Sequence, residues 1–222
     1  MTGPPDGPDP DCFPDLPVVL HLAGRKCLVV GGGPVATGKA ERLVASGGRV
    51  RVVAPEVGAD LVALEGPAVE IVRRTYRAGE AGGYDLVVTA TGVPEVDRRV
   101  VADATAGKAL VNSADRAAPG TVDLPAVHRD GPVTVAVSTR GASPALARWL
   151  RSRVAASVPA GVAELAALID DTRSSLRAAG RPTESVDWDA LLDGPVVALV
   201  GAGRLDEARA VLRSACGLAG PG

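Results

Sequence analysis

The chain has 222 residues, 27 of them glycine, and its aromatic set is two Trp, two Tyr and one Phe, so a hydrophobic core must be built from Ala, Val and Leu. Twenty-four basic against 26 acidic side chains leave a net charge of −2, which excludes a whole-chain basic field for nucleic acid or an anionic membrane surface. No apolar run approaches the ~18 to 20 residues of a membrane span, and the acidic, proline-rich opening has no signal-peptide core, so the sequence reads as cytoplasmic. Cys12, Cys27 and Cys216 are odd in number and lie in no metal-ligand spacing, which argues against a disulfide framework or a fixed metal.

In chain order, residues 1–15 read as a loose Pro/Gly/Asp tail. Residues 26–31 (KCLVVG) predict a strand, and residues 35–46 a helix with Ala36, Ala40, Leu43 and Val44 on one side, stopped by Gly47-Gly48. Strands follow at 49–54, 69–73, 85–90 and 109–112, with a weak helix at 59–64 and a clearer one at 95–106. Strands alternating with helices predict an α/β fold, a doubly wound parallel sheet of Rossmann type over 16–114, with ligands outside the strand C-termini. Beyond Asp115 the rhythm changes to a loop holding Pro119, Pro125 and His128, then a strand at 133–138. Ser143-Pro144 opens a helix, and residues 156–222 read as mainly helical, broken near Gly180-Arg181-Pro182.

Gly31-Gly32-Gly33-Pro34-Val35-Ala36 fits G-x-G-x-x-G/A between a strand and a helix. Gly31 permits the tight turn, Gly33 lets backbone approach a pyrophosphate, and Ala36 lets the helix pack closely, while the helix N-terminus offers free N–H groups. The overlapping G-x-x-x-x-G-K-A lacks the hydroxyl of a P-loop, which removes a nucleoside triphosphatase. After the second strand comes Ala54-Pro55-Glu56, where Glu56 or backbone would meet a ribose, and no Arg follows that strand, which leans toward NAD over NADP. Thr89, Thr91 and Gly92, after the fourth strand, are placed to line a cofactor or to cap the next helix. Asp115 sits at the edge where such sheets bind ligands, as a general base or as a turn residue. Arg140, Arg148, Arg151 and Arg153 lie in a stretch, 140–163, without acidic residues; Arg140 and the helix start at Ser143 could converge on a carboxylate.

The stretches LPVVLHLAGRKCLVVGGGPVATGKAERLVASGGRVRVVAPE, DLVVTATG, LVNSAD and VAVSTRGASPALARWLR together resemble the precorrin-2 dehydrogenase/sirohydrochlorin ferrochelatase family, the dehydrogenase-chelatase module of siroheme synthase. The resemblance covers over half the chain. It implies NAD-dependent oxidation of the tetrapyrrole precorrin-2 to sirohydrochlorin, followed in many members by insertion of Fe²⁺, a substrate and not a bound cofactor, to give siroheme. It further implies a homodimer, with residues 115–155 forming much of the interface. Asp115 falls on the family's aspartate implicated in both reactions, Pro34-Val35 and Pro55-Glu56 on NAD-contacting positions, and the motifs carry Asn112, Ser138, Thr139, Arg140 and Ser143 toward the substrate. Gly92-Val93 departs from an acidic pair, residues 121–125 from an aromatic-containing stretch, and Thr139 from a serine; these bear on chelation more than on dehydrogenation. Residues 196–203 briefly resemble the opening of the methyltransferase domain of fused siroheme synthases, with about twenty residues after them. The alternative from another class is an NAD-sensing regulatory module without catalysis; a third reading is a dehydrogenase for another acidic metabolite.

Overall fold

The computed structural model describes residues 15–114 and 120–218. The chain divides into two compact units between Leu124 and Pro125.

The first unit is built on a five-stranded, wholly parallel sheet in the order β3-β2-β1-β4-β5. Its strands are β1 (Lys26–Val30), β2 (Arg49–Ala54), β3 (Val69–Arg73), β4 (Leu86–Thr89) and β5 (Leu110–Ser113). The helices are α1 (Pro34–Ala45), the short α2 (Ala59–Val62) and α3 (Pro94–Ala106). The central strands read as continuous apolar runs because both of their faces are covered. Alternate residues of β1 serve opposite cores: Cys27 and Val29 pack with Val52, Val88 and the Ala36, Ala40 and Leu43 side of α1, whereas Leu28 and Val30 pack with Val53, Val87 and the Val100 and Ala104 side of α3. Alanines at 36, 40 and 104 let the helices approach the sheet closely, which is how a chain so poor in aromatics fills its interior. Cys27 is fully buried, and burial pushes its thiol up to about 11, so it behaves as a small core residue.

In the second unit, β6 (Ala126–Asp130) and β7 (Val133–Val137) form an antiparallel hairpin with Asp130 opposite Val133. Its two-residue loop begins at Gly131, whose φ of 52° is left-handed. The hairpin corrects the sequence reading of a loop: His128 lies within β6, opposite Val135. α4 (Pro144–Ala155) packs on both strands. α5 (Val162–Ala178), α6 (Trp188–Leu192), α7 (Pro195–Gly201) and α8 (Leu205–Ala215) share a separate core in which Leu165, Leu168, Val196, Val200, Ala208 and Leu212 are buried. Within it the indole Nε1 of Trp188 donates to the Thr183 carbonyl at 3.0 Å. Residues 196–203, which resemble a strand-and-glycine opening, are helical up to Gly201, and the chain turns at Gly203 with φ 74°. None of the described helices is long and apolar enough to cross a membrane.

The first turns of β1 and β4 are tied by one carboxylate. Asp85 accepts from the Lys26 N–H at 2.9 Å and from Arg25 Nη1 at 3.0 Å, and these donors, the backbone N–H first, hold its carboxyl below the ordinary aspartate range. A depressed folded pKa contributes stability that is complete above the unfolded value and is lost as pH falls through the folded one. Stability from urea denaturation is therefore expected to fall as pH drops below about 5, with Asp85→Asn flattening that slope.

Candidate functional site

A cleft of about 580 Å³ opens at the C-terminal edge of the sheet. Residues 30–33 at the end of β1, 53–58 at the end of β2, Thr75 and Tyr76 after β3, and Thr91, Val93 and Val96 after β4 line it.

The three glycines of the turn answer to three different constraints. Gly31 has φ 128°, and a Cβ there would sit 2.3 Å from the Ala90 carbonyl oxygen. A Cβ on Gly32 would sit 1.9 Å from the Glu56 carbonyl oxygen. Gly33 is different, because a Cβ there meets nothing within 4 Å; the space over it is open. Backbone bonds hold the turn in place: Gly31 N donates to Val53 O at 3.0 Å, Gly58 N to Gly32 O at 2.9 Å, and Ala90 N to Val30 O at 2.9 Å.

Gly33 is also the N-cap of α1, with no side-chain cap, Pro34 at the first position and no acidic residue in the first turn. The next N–H groups are left for an anion, where the helix dipole favours negative charge. Among the lining residues Glu56 is the one charged side chain, and it is exposed at the end of β2. An uncapped helix N-terminus, open space over Gly33 and a carboxylate at the second strand's end fit a dinucleotide whose ribose hydroxyls face Glu56. The cleft thus brings together Gly31, Gly33, Pro55, Glu56 and Thr91 of the sequence-read cofactor set. Pro34, Val35 and Gly92 lie outside its lining, with the Val35 side chain exposed and Gly92 at φ 72°.

Asp97, which the sequence reading passed over, sets the shape of the loop after β4. It is buried in the first turn of α3, and its Oδ1 accepts from the hydroxyl of Thr89, from Thr91 Oγ1 at 2.8 Å and from Thr91 N at 3.2 Å. Thr91 therefore faces the cleft with its hydroxyl already engaged. Asp97 reads in sequence as a helix-start acid, and nothing in its spacing reveals the reach back to two threonines.

Asp115 lies outside the described residues; those on either side, 111–113 and 120–122, are bonded to one another. Thr121 N and Val122 N both donate to Val111 O, at 2.7 and 3.0 Å, and the Thr121 hydroxyl accepts from Val111 N at 2.9 Å. Asn112 is 3% exposed; its Nδ2 donates to Val122 O at 2.9 Å, and its buried Oδ1 has no partner among the described residues. Asn112 thus ties the two ends of the loop together. Gly120 completes the closure, since a Cβ there would lie 2.2 Å from the Val111 carbonyl oxygen.

In the second unit, residues 138–143 form a turn that spends its hydroxyls locally. Ser138 Oγ accepts from Arg140 N at 3.2 Å, Thr139 Oγ1 donates to Ser143 O at 3.1 Å and accepts from Ser143 N at 3.2 Å, and Ser143 Oγ caps α4 by accepting from Leu146 N at 3.2 Å. Arg140, at φ 51°, and Gly141, at φ 71°, take left-handed conformations in succession. The Arg140 side chain is exposed beside a helix whose first turn has no acidic residue.

The fold and the glycine turn define a dinucleotide-binding protein of Rossmann type. Residues 18–126 match the family model described as "Putative NAD(P)-binding", and residues 130–157 match "Sirohaem biosynthesis protein central". The chain is 39% identical to the siroheme synthase of Thioalkalivibrio sulfidiphilus, over 90% of this chain and 42% of that protein. It is 37% identical to that of Pseudomonas putida strain F1, over 90% and 44%. It spans less than half the length of these curated relatives. The solved structure of SirC, precorrin-2 dehydrogenase, shares the fold with a TM-score of 0.70 at 24% identity, covering 91% of this chain and 100% of that one. The chain belongs to the precorrin-2 dehydrogenase/sirohydrochlorin ferrochelatase family, whose module also forms part of siroheme synthases.

Two substitution series check the geometry. Gly31→Ala and Gly32→Ala are expected to cost about 3 kcal/mol or more in chemical denaturation, whereas Gly33→Ala costs about 1 kcal/mol or less. Gly120→Ala, which forces the loop base apart, is expected to raise limited proteolysis within residues 113–122 at least about fivefold while the sheet's far-ultraviolet circular dichroism persists.

Proposed function

We propose that this chain catalyses NAD-dependent dehydrogenation of precorrin-2 to sirohydrochlorin within tetrapyrrole biosynthesis. The observation that carries the reading is the open, uncapped N-terminus of α1 over Gly33, beside a cleft whose lining holds Glu56 and no Lys or Arg. A carboxylate there suits two ribose hydroxyls and repels a 2′-phosphate, which supports NAD over NADP. Pro34 and Val35 would add their backbone to the same phosphate cradle, and Gly92 the bend of the loop after β4.

NAD⁺, when bound, supplies the hydride acceptor. Dehydrogenation also releases a proton, and Asp115, three residues after Asn112 in the sequence, is the base that takes it. Arg140, with Ser138, Thr139 and the Ser143-capped start of α4, would hold carboxylates of the tetrapyrrole; the acid-free run 140–163 supports this role. The protein acts as a homodimer in the cytoplasm. An exposed stripe of Leu146, Trp149 and Val154 on α4 supports an interface between copies.

The test is anaerobic incubation with precorrin-2 and either NAD or NADP, following the tetrapyrrole spectrum before and after Fe²⁺. Sirohydrochlorin is expected with NAD, with the rate reduced at least about 100-fold in Asp115→Asn. A further Fe²⁺-dependent change above the enzyme-free control would add chelation, with iron as substrate. Binding of NAD without turnover would overturn the dehydrogenase reading in favour of a nucleotide-sensing module.

A further inference from the structure

The cleft has an aromatic wall that the glycine motif does not predict. Tyr76, one of only two tyrosines, follows β3 and lines the cleft beside Thr75. Its ring packs on the α3 side of the sheet, against the core formed by Val30, Val53 and Val100. Both hydrogen-bonding capacities of its hydroxyl are directed away from the cleft: it donates to Asp103 Oδ2 of α3 at 2.8 Å and accepts from Ala81 N at 3.0 Å. Asp103 Oδ2 is itself fixed by Gly79 N at 2.7 Å. The side chain is therefore clamped at its polar end, and what it offers a ligand is the apolar ring.

The position relative to the glycine turn matters as much as the clamp. β3 lies two strands from β1, so the residues after it stand about 10 Å across the sheet from the phosphate cradle. Between them lies Glu56, at the end of β2. Phosphate donors, a ribose-facing carboxylate and a rigid apolar ring follow one another along the cleft, in the order in which a dinucleotide presents pyrophosphate, ribose and base. Val93 and Val96, after β4, add apolar lining, so apart from Glu56 the cleft offers a flat heterocycle no charged side chain.

We infer that Tyr76 is a binding residue for the adenine of the dinucleotide, a pre-set wall that the base packs against, with Asp103 and Ala81 as the positioning groups that hold the ring. This rests on the reading of the cleft as an NAD site. The ring contributes to affinity and leaves the reacting half of the cofactor untouched. The hydroxyl has no part in proton transfer, since burial and the adjoining Asp103 carboxylate hold it well above the ordinary tyrosine range.

The experiment compares the parent, Tyr76→Phe and Tyr76→Leu by calorimetric binding of NAD, ADP-ribose and nicotinamide mononucleotide. Tyr76→Leu should weaken NAD and ADP-ribose about tenfold and leave nicotinamide mononucleotide within about twofold, while Tyr76→Phe keeps both adenine-bearing ligands within about threefold. A second measurement uses the unaltered chain: with two tyrosines to assign, Tyr76 ring protons should show nuclear Overhauser contacts to adenine H2 or H8 of bound NAD. Equal losses for all three ligands in Tyr76→Leu, or contacts from Tyr76 to nicotinamide protons in the parent, would overturn the inference. NAD binding that is unchanged in Tyr76→Leu sinks this assignment alone, whereas a parent that binds neither NAD nor ADP-ribose sinks the cleft reading along with it.

Discussion

Backbone meeting backbone at Gly31 and Gly32 is the constraint on which the nucleotide half depends. The segments after β1, β2 and β4 converge there so tightly that neither residue has room for a single methyl group. That convergence aims α1, and it leaves the start of the helix bare at the mouth of the cleft. It also explains why the motif tolerates Pro34: the first helical residue gives up an N–H that the helix could not have paired, while the open space stays over Gly33. One packing requirement therefore shapes the turn, the direction of the helix and the cleft together.

Away from that edge the sheet interior is almost wholly apolar, and polarity collects where the strands end. Thr89, Asp97 and Asn112 are all buried, and all act on the segments leaving β4 and β5. Each ties a loop: Asp97 gathers two threonines, and Asn112 joins the strand it ends to the returning chain at Val122. Buried polar groups of this kind are costly unless paired, so the strand ends they hold have few other conformations to visit. Rigid strand ends are a suitable mount for groups that must meet a ligand at a set distance.

Much of this was legible in the residues themselves. The runs at 27–30 and 86–88 are continuous in apolar character because both faces are covered, the run at 49–54 shows its strand through Val50, Val52 and Val53, and the helix after the first shows its period through Ala36, Ala40 and Leu43. The glycine turn announced its place between strand and helix. The strand at 126–130 is masked in the sequence, because Ala126 and Val127 are followed by His, Arg and Asp on a half-exposed hairpin. Asp130-Gly131 between two extended runs was the signal that could have revealed it. Gly32, Asp97 and the closure of the loop by Asn112 were hidden for another reason. Their partners, Glu56, Thr89 and Val122, stand at no spacing that marks a pairing in the sequence, and the assembled sheet edge brings them together.

The strand order sets different folding problems for the two halves. β1 must pair with β2, a short helix away, and also with β4, where Cys27 meets Leu86 after about sixty intervening residues. The central strand cannot be covered on both sides until that long loop closes, so the entropic cost of closure comes before the burial that offsets it. In the second unit the contacts of α5 to α8 and of the hairpin are mostly between neighbours in sequence. The sheet therefore has the higher contact order, and during synthesis β3, β2 and β1 must wait with one edge of β1 unpaired until β4 has left the ribosome.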